Sequence, residues 1–145
     1  GYMNSTLAKI DAVNNGFDDA ILLGDNDVVA EGSGQNLFLI KDDLIYTPPI
    51  ETGALGGITR STVMEIANEL GIEVIEKNIE KEELFWADEL FFTGTATEVV
   101  AVVSIDKKEI NTGTPGEKTN QIRNKYLEIV NRQDEKYFDY LTSVQ

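Results

Sequence analysis

Val29-Ala30-Glu31-Gly32-Ser33-Gly34-Gln35-Asn36-Leu37-Phe38 is the stretch around which the rest of the chain is arranged. A carboxylate stands between an apolar run and a Gly-Ser-Gly turn, and a second apolar run follows at once. Glycines allow a tight turn and a close backbone approach to a ligand. Strand-like flanks would hold that turn still. Glu31 therefore reads in two ways: as a carboxylate presented at a set point inside a fold, or, more plainly, as a solvent-facing acid in an ordinary bulge or hairpin.

Working outward, Leu37-Phe38-Leu39-Ile40, a turn at Lys41-Asp42-Asp43 and Leu44-Ile45-Tyr46-Thr47 predict a hairpin that Pro48-Pro49 ends. Upstream, Asn4 or Ser5 can cap a helix running to Val13, with Leu7, Ile10 and Ala12-Val13 as its apolar side, and Asn14-Asn15-Gly16 stops it. Ala20 to Leu23 and Val28 to Ala30 read as short strands about an Asp25-Asn26-Asp27 turn.

Downstream, a glycine-rich loop from Gly53 to Gly57 opens into a helix in which Val63, Ile66-Ala67 and Leu70 share one side, and Gly71 ends it. Ile72 to Ile79 reads as a strand and Glu80 to Trp86 as a short acidic helix. Glu89 to Phe92 and Val99 to Ile105 are further strands, the second turned by Asp106-Lys107-Lys108. Gly113 to Gly116 is a loop, and Thr119 to Val130 is a helix followed by an aromatic tail that packs down. The expectation is one mixed α/β domain over residues 1–145, with about seven strands and three longer helices.

Composition narrows the chemistry. The chain has 145 residues, no cysteine and no histidine. Disulfides, thiol chemistry, serine–histidine hydrolysis and histidine-bound zinc are excluded within it. Its net charge of −14 opposes nucleic acid and anionic membranes. No apolar run approaches the ~18 residues of a membrane span, and no signal-peptide pattern opens the chain. An anionic ligand must then be held locally, by backbone N–H groups or single cations.

Two segments suit that task. Gly56-Gly57-Ile58-Thr59 opens a helix, where free N–H groups and the positive end of the helix dipole converge. No Gly-Lys-Ser/Thr follows, so it is not a nucleotide P-loop. Thr93-Gly94-Thr95-Ala96-Thr97 follows an apolar strand and offers three hydroxyls with backbone donors. The plainer alternatives are a glycine loop capped by Thr59 and a simple strand end. Taken with Glu31, the two cradles suit a cofactor that carries both a phosphate and a protonatable ring nitrogen.

Four linked segments resemble the fold-type IV pyridoxal-phosphate enzymes, most nearly the branched-chain-amino-acid aminotransferases. They are Glu31 to Phe38, Tyr46-Thr47-Pro48-Pro49, Gly57-Ile58-Thr59-Arg60 and Ala87 to Val99, in order and at family spacing. The resemblance implies a D-amino-acid-aminotransferase-like large domain, a β pseudo-barrel with surrounding helices. It implies pyridoxal 5′-phosphate as cofactor, with Glu31 on the pyridine nitrogen, Ile58, Thr59 and Thr95 on the phosphate, Leu55 against the ring and Tyr2 near the phenolic oxygen. Thr95, Ala96 and Thr97 would lie near the substrate carboxylate.

The implied reaction moves an amino group between leucine, isoleucine or valine and 2-oxoglutarate, in the cytoplasm, in a homodimer or larger assembly, with no nucleic-acid or membrane partner. The family's Schiff-base lysine stands a few residues ahead of the Tyr2 position, which puts it before Gly1. It and the smaller N-terminal domain are therefore expected outside this chain, which by itself is expected not to transaminate. Lys9 matches a different family position and reads as a surface lysine.

Three departures bear on the substrate: Gln35 for a frequent glutamate, Thr97 for a frequent alanine, and Val100-Ala101 for a common Thr-Pro pair. D-amino-acid aminotransferases and aminodeoxychorismate lyases share the glutamate and the Gly-Ile-Thr-Arg motif. Thr93 to Thr97 and the tail from Lys136 to Thr142 favour the branched-chain group. An acidic binding domain that keeps the fold without catalysis is the alternative of another class.

Overall fold

The structure, a computed structural model, describes residues 6–13, 18–23, 36–49, 57–94 and 98–143, with side-chain environments at 36–49, 59–93 and 99–132. Its middle is the antiparallel pair β3 (Asn36–Lys41) and β6 (Glu89–Gly94), in the register Asn36↔Thr93, Phe38↔Phe91 and Ile40↔Glu89. Both are continuous apolar runs, which is what a strand covered on both faces requires. Leu37, Leu39, Leu90 and Phe92 face one way. Phe38, Ile40 and Phe91 face the other. Phe38 and Phe91 stack with ring centroids 5.0 Å apart and planes 5° from parallel. At that separation near-parallel rings are slid past one another, the preferred offset arrangement.

The remaining strands extend this pair. They are β1 (Thr6–Val13), β2 (Asp18–Leu23), β4 (Leu44–Thr47), β5 (Val74–Glu76) and β7 (Glu98–Ile105), in the order β2-β1-β7-β6-β3-β4-β5, and the short β8 (Lys108–Glu109) pairs with β7. Every pairing is antiparallel except β4 with β5. That parallel pair is joined by helix α1 (Gly57–Glu69), since parallel neighbours need a crossover.

On one face lie α1 and α3 (Glu117–Ser143), which bury Val63, Ile66, Ala67, Ile122 and Tyr126 against Phe38, Ile45, Phe91 and Val99. On the other, α2 (Lys81–Trp86) and its flanks bury Ile79, Leu84 and Ala87 against Leu37, Leu39, Leu90 and Phe92. The sheet is thus covered on both faces at its middle strands. Among the described strands it is open, ending at β2 and β5, and the pseudo-barrel closure is not seen.

Local chemistry explains most boundaries. Asp42 and Asp43 (φ 52° and 65°) form the two-residue turn of the β3–β4 hairpin, and Asp106 and Lys107 (φ 52° and 68°) that of β7–β8. Two left-handed residues make the type I′ turn whose twist suits a hairpin, and aspartate tolerates that conformation. Gly71, at φ 77°, ends α1. Its N–H bonds to Asn68 O (3.0 Å) and that of Ile72 to Ala67 O (2.8 Å), with Ile72 and Ala67 in one cluster. This is a Schellman cap with its apolar contact. Leu70 lies beyond the buried stripe and is 40% exposed.

Three expectations are corrected. The helix expected from Asn4 or Ser5 to Val13 is strand β1 over its described part, paired with β2 and β7. Ala8, Ile10 and Ala12 also alternate with Lys9 and Asp11, and a short segment with two strand partners follows that period. The strand expected over Ile72 to Ile79 is only β5, because β4 offers a parallel partner for three residues alone. The last helix starts two residues earlier than expected and runs thirteen further, taking in the aromatic tail. The strand expected at Val28 to Ala30 lies outside the described residues.

A bulge on β7 decides which side Ile105 reaches. Asp11 pairs with Ser104 but Ala12 with Val102, leaving Val103 as the extra residue. One extra residue inverts the alternation. Val99 accordingly joins the α1/α3 cluster, whereas Val102 and Ile105 share the opposite one.

Glu89, at the start of β6, seats α3. Its carboxylate accepts bonds from Lys118 N–H (3.2 Å), Thr119 N–H (2.8 Å) and the Thr119 hydroxyl (2.7 Å). An anion on the first turn satisfies free donors and complements the dipole. A Cβ on Gly116 would overlap that carboxylate. Gly116→Ala is therefore expected to destabilise the fold by about 1–2 kcal/mol, the size of a lost helix cap, in chemical denaturation. Glu89→Ala should remove most of this penalty, so equal and additive losses would refute the link.

Lys118 also donates to Asp43 at 2.7 Å, tying α3 to the β3–β4 turn. That bond holds the Asp43 carboxyl below its ordinary 3.8. It holds the Lys118 ammonium above its ordinary 10.5. A lowered carboxyl contributes stability above its ordinary value and loses it as pH falls through the folded one. A raised ammonium contributes below its ordinary value and loses it as pH rises through the folded one. The stability difference between the wild type and Lys118→Met should be flat between these limits and shrink on both sides. The pair is exposed, so the difference should be small and fall with salt.

Candidate active site

The sheet topology brings one set of element ends together. β3 begins at Asn36, where β6 ends at Thr93 and Gly94 and β7 begins at Glu98. β4 runs antiparallel to β3, so its last residue, Thr47, lies at that same end. There the Thr47 hydroxyl donates to Leu37 O at 2.7 Å. Helix α1 starts from this end and crosses back to let β5 run parallel to β4. The Arg60 guanidinium, in the first turn of α1, agrees with this placement: it donates to Pro48 O (3.3 Å) and to Glu76 Oε1 at the end of β5 (2.6 Å). The crevice beyond the carboxyl ends of strands joined by a helix is where α/β sheets take ligands.

The three segments singled out in the sequence all leave from these ends. Asn36 is five residues on from Glu31, Gly57 opens α1, and Gly94 and Glu98 flank Thr95, Ala96 and Thr97. Glu31, Tyr2, Leu55, Thr95, Ala96 and Thr97 themselves lie outside the described residues, as does the side chain of Ile58. Gly1, ahead of which the Schiff-base lysine is expected, lies outside them too. Thr59 is described and buried at the start of α1.

Asn36, Thr93 and Val99 are successive register partners on the face that carries α1 and α3. Thr93 is wholly buried, and its Oγ1 has no hydrogen-bond partner among the described residues. A buried hydroxyl left unpaired costs about 1–3 kcal/mol, so its survival calls for an explanation. A polar group seated at this end of the sheet would supply one. The hydroxyl, the buried Thr59 and the free N–H groups of the α1 N-terminus are donors suited to an anion. The donor set fits a phosphate-bearing cofactor.

Arg60, to which the sequence alone assigned no role, is 5% exposed. A cation in the first turn of a helix opposes the dipole. That mismatch was the signal available for it. Its Nη1 also lies 3.3 Å from Met64 Sδ, and its Nε has no partner among the described residues.

A protein-family model described as amino-transferase class IV matches residues 1–105. The chain is 42% identical over 144 residues to a branched-chain-amino-acid aminotransferase of Pseudomonas aeruginosa, covering 99% of this chain and 47% of the relative. Among solved structures, it is similar to the branched-chain amino acid aminotransferase of Thermobaculum terrenum in PLP form: TM-score 0.72, 40% identity, 81% of this chain and 38% of the other. A second is the branched-chain aminotransferase of the archaeon Thermoproteus uzoniensis with norvaline: TM-score 0.71, 44% identity, 82% and 39%. The chain spans about half the length of the curated relatives it matches.

The two buried threonines should respond differently to loss of the hydroxyl. Thr47→Val breaks a buried bond and leaves Leu37 O short of a donor, at a cost of about 1–3 kcal/mol. Thr93→Val removes a hydroxyl with no partner among the described residues and should be neutral or stabilising in the absence of ligand. Chemical denaturation of both variants checks this, and an equal loss in Thr93→Val would show that Thr93 has a protein partner.

Proposed function

The chain belongs to the class IV aminotransferases, and on that footing we propose that it is the cofactor-binding domain of a pyridoxal-phosphate-dependent enzyme. The whole protein would move an amino group between branched-chain L-amino acids and 2-oxoglutarate. The observation that carries the proposal is the meeting of a helix N-terminus, a buried hydroxyl unpaired among the described residues and three motif-bearing strand ends at one end of the sheet. The branched-chain assignment takes its support from the named relatives.

When bound, pyridoxal phosphate supplies an electron sink for bond-breaking at the substrate Cα. The chain's residues do the rest. Glu31 keeps a proton on the pyridine nitrogen by offering it a carboxylate. The N–H groups of Ile58 and Thr59 hold the phosphate with the dipole of α1 behind them, and Thr95 adds a hydroxyl. Leu55 packs on the ring, and the Tyr2 hydroxyl contacts the phenolic oxygen. Thr95, Ala96 and Thr97 orient the substrate carboxylate. The lysine that carries the cofactor, an arginine for the phosphate and much of the substrate pocket belong to another part of the protein. The working assembly is a homodimer or larger.

The complete protein should transfer the amino group of leucine, isoleucine and valine to 2-oxoglutarate and show the cofactor's absorbance. Glu31→Ala should lower kcat by about 100-fold or more, as loss of a preorganised charge at the reacting group does. The 145-residue chain alone should show no turnover. Preference for D-alanine over L-leucine would overturn the substrate assignment, and full activity in Glu31→Ala the role of Glu31.

A further inference from the structure

We infer that Arg60 and Glu76 form a positioning pair that sets the α1 N-terminus as a phosphate cradle, an inference that rests on the cofactor reading above. Neither residue carries a role in that reading.

The geometry supports it from three sides. Arg60 follows Thr59 directly, so it stands one residue beyond the N–H groups assigned to the phosphate. Its buried Nη2 reaches Pro48 O at the exit of β4 and Glu76 Oε1 at the end of β5. One guanidinium thus ties the helix start to the ends of the two parallel strands that the helix connects. Both bonds leave from the single Nη2; a lysine ammonium has the charge but stands one atom nearer the backbone, short of that point.

Stability alone is a poor account of this pair. Its cation is buried in the turn where the helix dipole disfavours it, and its partner carboxylate is half exposed, where an ion pair contributes little. Position is a better account. The anion site depends on where the first N–H groups of α1 point, and within the described residues Arg60 is the side chain seen to bond that turn to the sheet ends. In a chain of net charge −14, Arg60 also adds a local positive charge.

The sign of the Glu76 effect separates position from field. Removing Glu76 takes a negative charge away from the cradle, which by field alone would tighten phosphate binding. Loss of affinity in Glu76→Ala can arise only from lost positioning. The Glu76 side chain is about half exposed (48%), so this variant should fold even if one at Arg60 does not.

The experiment measures binding of pyridoxal phosphate and of pyridoxal, which lacks the phosphate, to the complete protein by equilibrium dialysis, with thermal melts alongside. Wild type should prefer the phosphorylated form. Glu76→Ala and Arg60→Lys should each lose about tenfold or more of that affinity, the size of one charge-assisted hydrogen bond, with pyridoxal affinity unchanged. Unchanged or tighter phosphate binding in Glu76→Ala, wild-type binding in Arg60→Lys, or equal loss of both ligands would overturn the pair's role while leaving the cofactor reading intact. A wild type that does not distinguish the two ligands would overturn the cofactor reading and this inference with it.

Discussion

The register between β3 and β6 is the constraint on which the rest of the molecule depends. Both strands are covered on both faces, so each residue has a demanded side. A slip of one residue would carry every side chain to the wrong layer. Phe38 and Phe91, opposite each other and stacked, hold that register from the α1/α3 side, while Leu37, Leu39, Leu90 and Phe92 hold it from the α2 side. Burying one such side chain is worth about 1.5–3 kcal/mol, and the six together outweigh the about 1–3 kcal/mol that one unpaired polar group at a strand end can impose. The apolar middle therefore decides where the polar ends fall: Asn36 beside Thr93, and Thr93 beside Val99.

From that register the site follows by topology. An antiparallel hairpin returns β4 to the end where β3 begins. A parallel β5 then obliges α1 to start at that end and run the length of the sheet. The helix N-terminus, the least satisfied part of any helix, is delivered to the same end of the sheet as Thr93, whose hydroxyl has no partner among the described residues. The opposite end is devoted to stability. There the Asp42–Asp43 turn, the Asp88 carboxylate that accepts from Asp42 N–H at 3.0 Å, and the Glu89 cap on α3 leave no comparable cluster of unused donors among the described residues. The candidate site and the structural caps sit at opposite ends of the same strands.

Several elements were legible because their cause is local. Asp42-Asp43 between apolar runs demands a tight hairpin whatever surrounds it, and Gly71 after an apolar stripe at helical spacing demands a cap. The first strand was not legible as a strand. Leu7, Ile10 and Val13 satisfy a helical period, Ala8, Ile10 and Ala12 satisfy a period of two, and partners far along the chain choose between them. The short β8 and the extension of α3 to Ser143 likewise depend on what lies beside them. The bulge at Val103 leaves no sequence trace, since it occurs inside a run of valines and alanine with no break in character.

The candidate site divides along the same line. The sequence by itself determined its chemical inventory: no thiol, no imidazole, a strongly acidic background, glycine-opened donors at the start of a helix and a Thr-Gly-Thr-Ala-Thr segment after a strand. These are matters of which atoms are present and how near they lie along the chain. Only the tertiary structure decided that these segments leave from one end of one sheet, that Thr93 is buried without a partner among the described residues and that Arg60 is held by Glu76. Arg60 and Glu76 stand sixteen residues apart in the chain, and no local preference links them. They meet because a parallel strand pair and its crossover helix share one end, a consequence of burying two faces of a sheet at once.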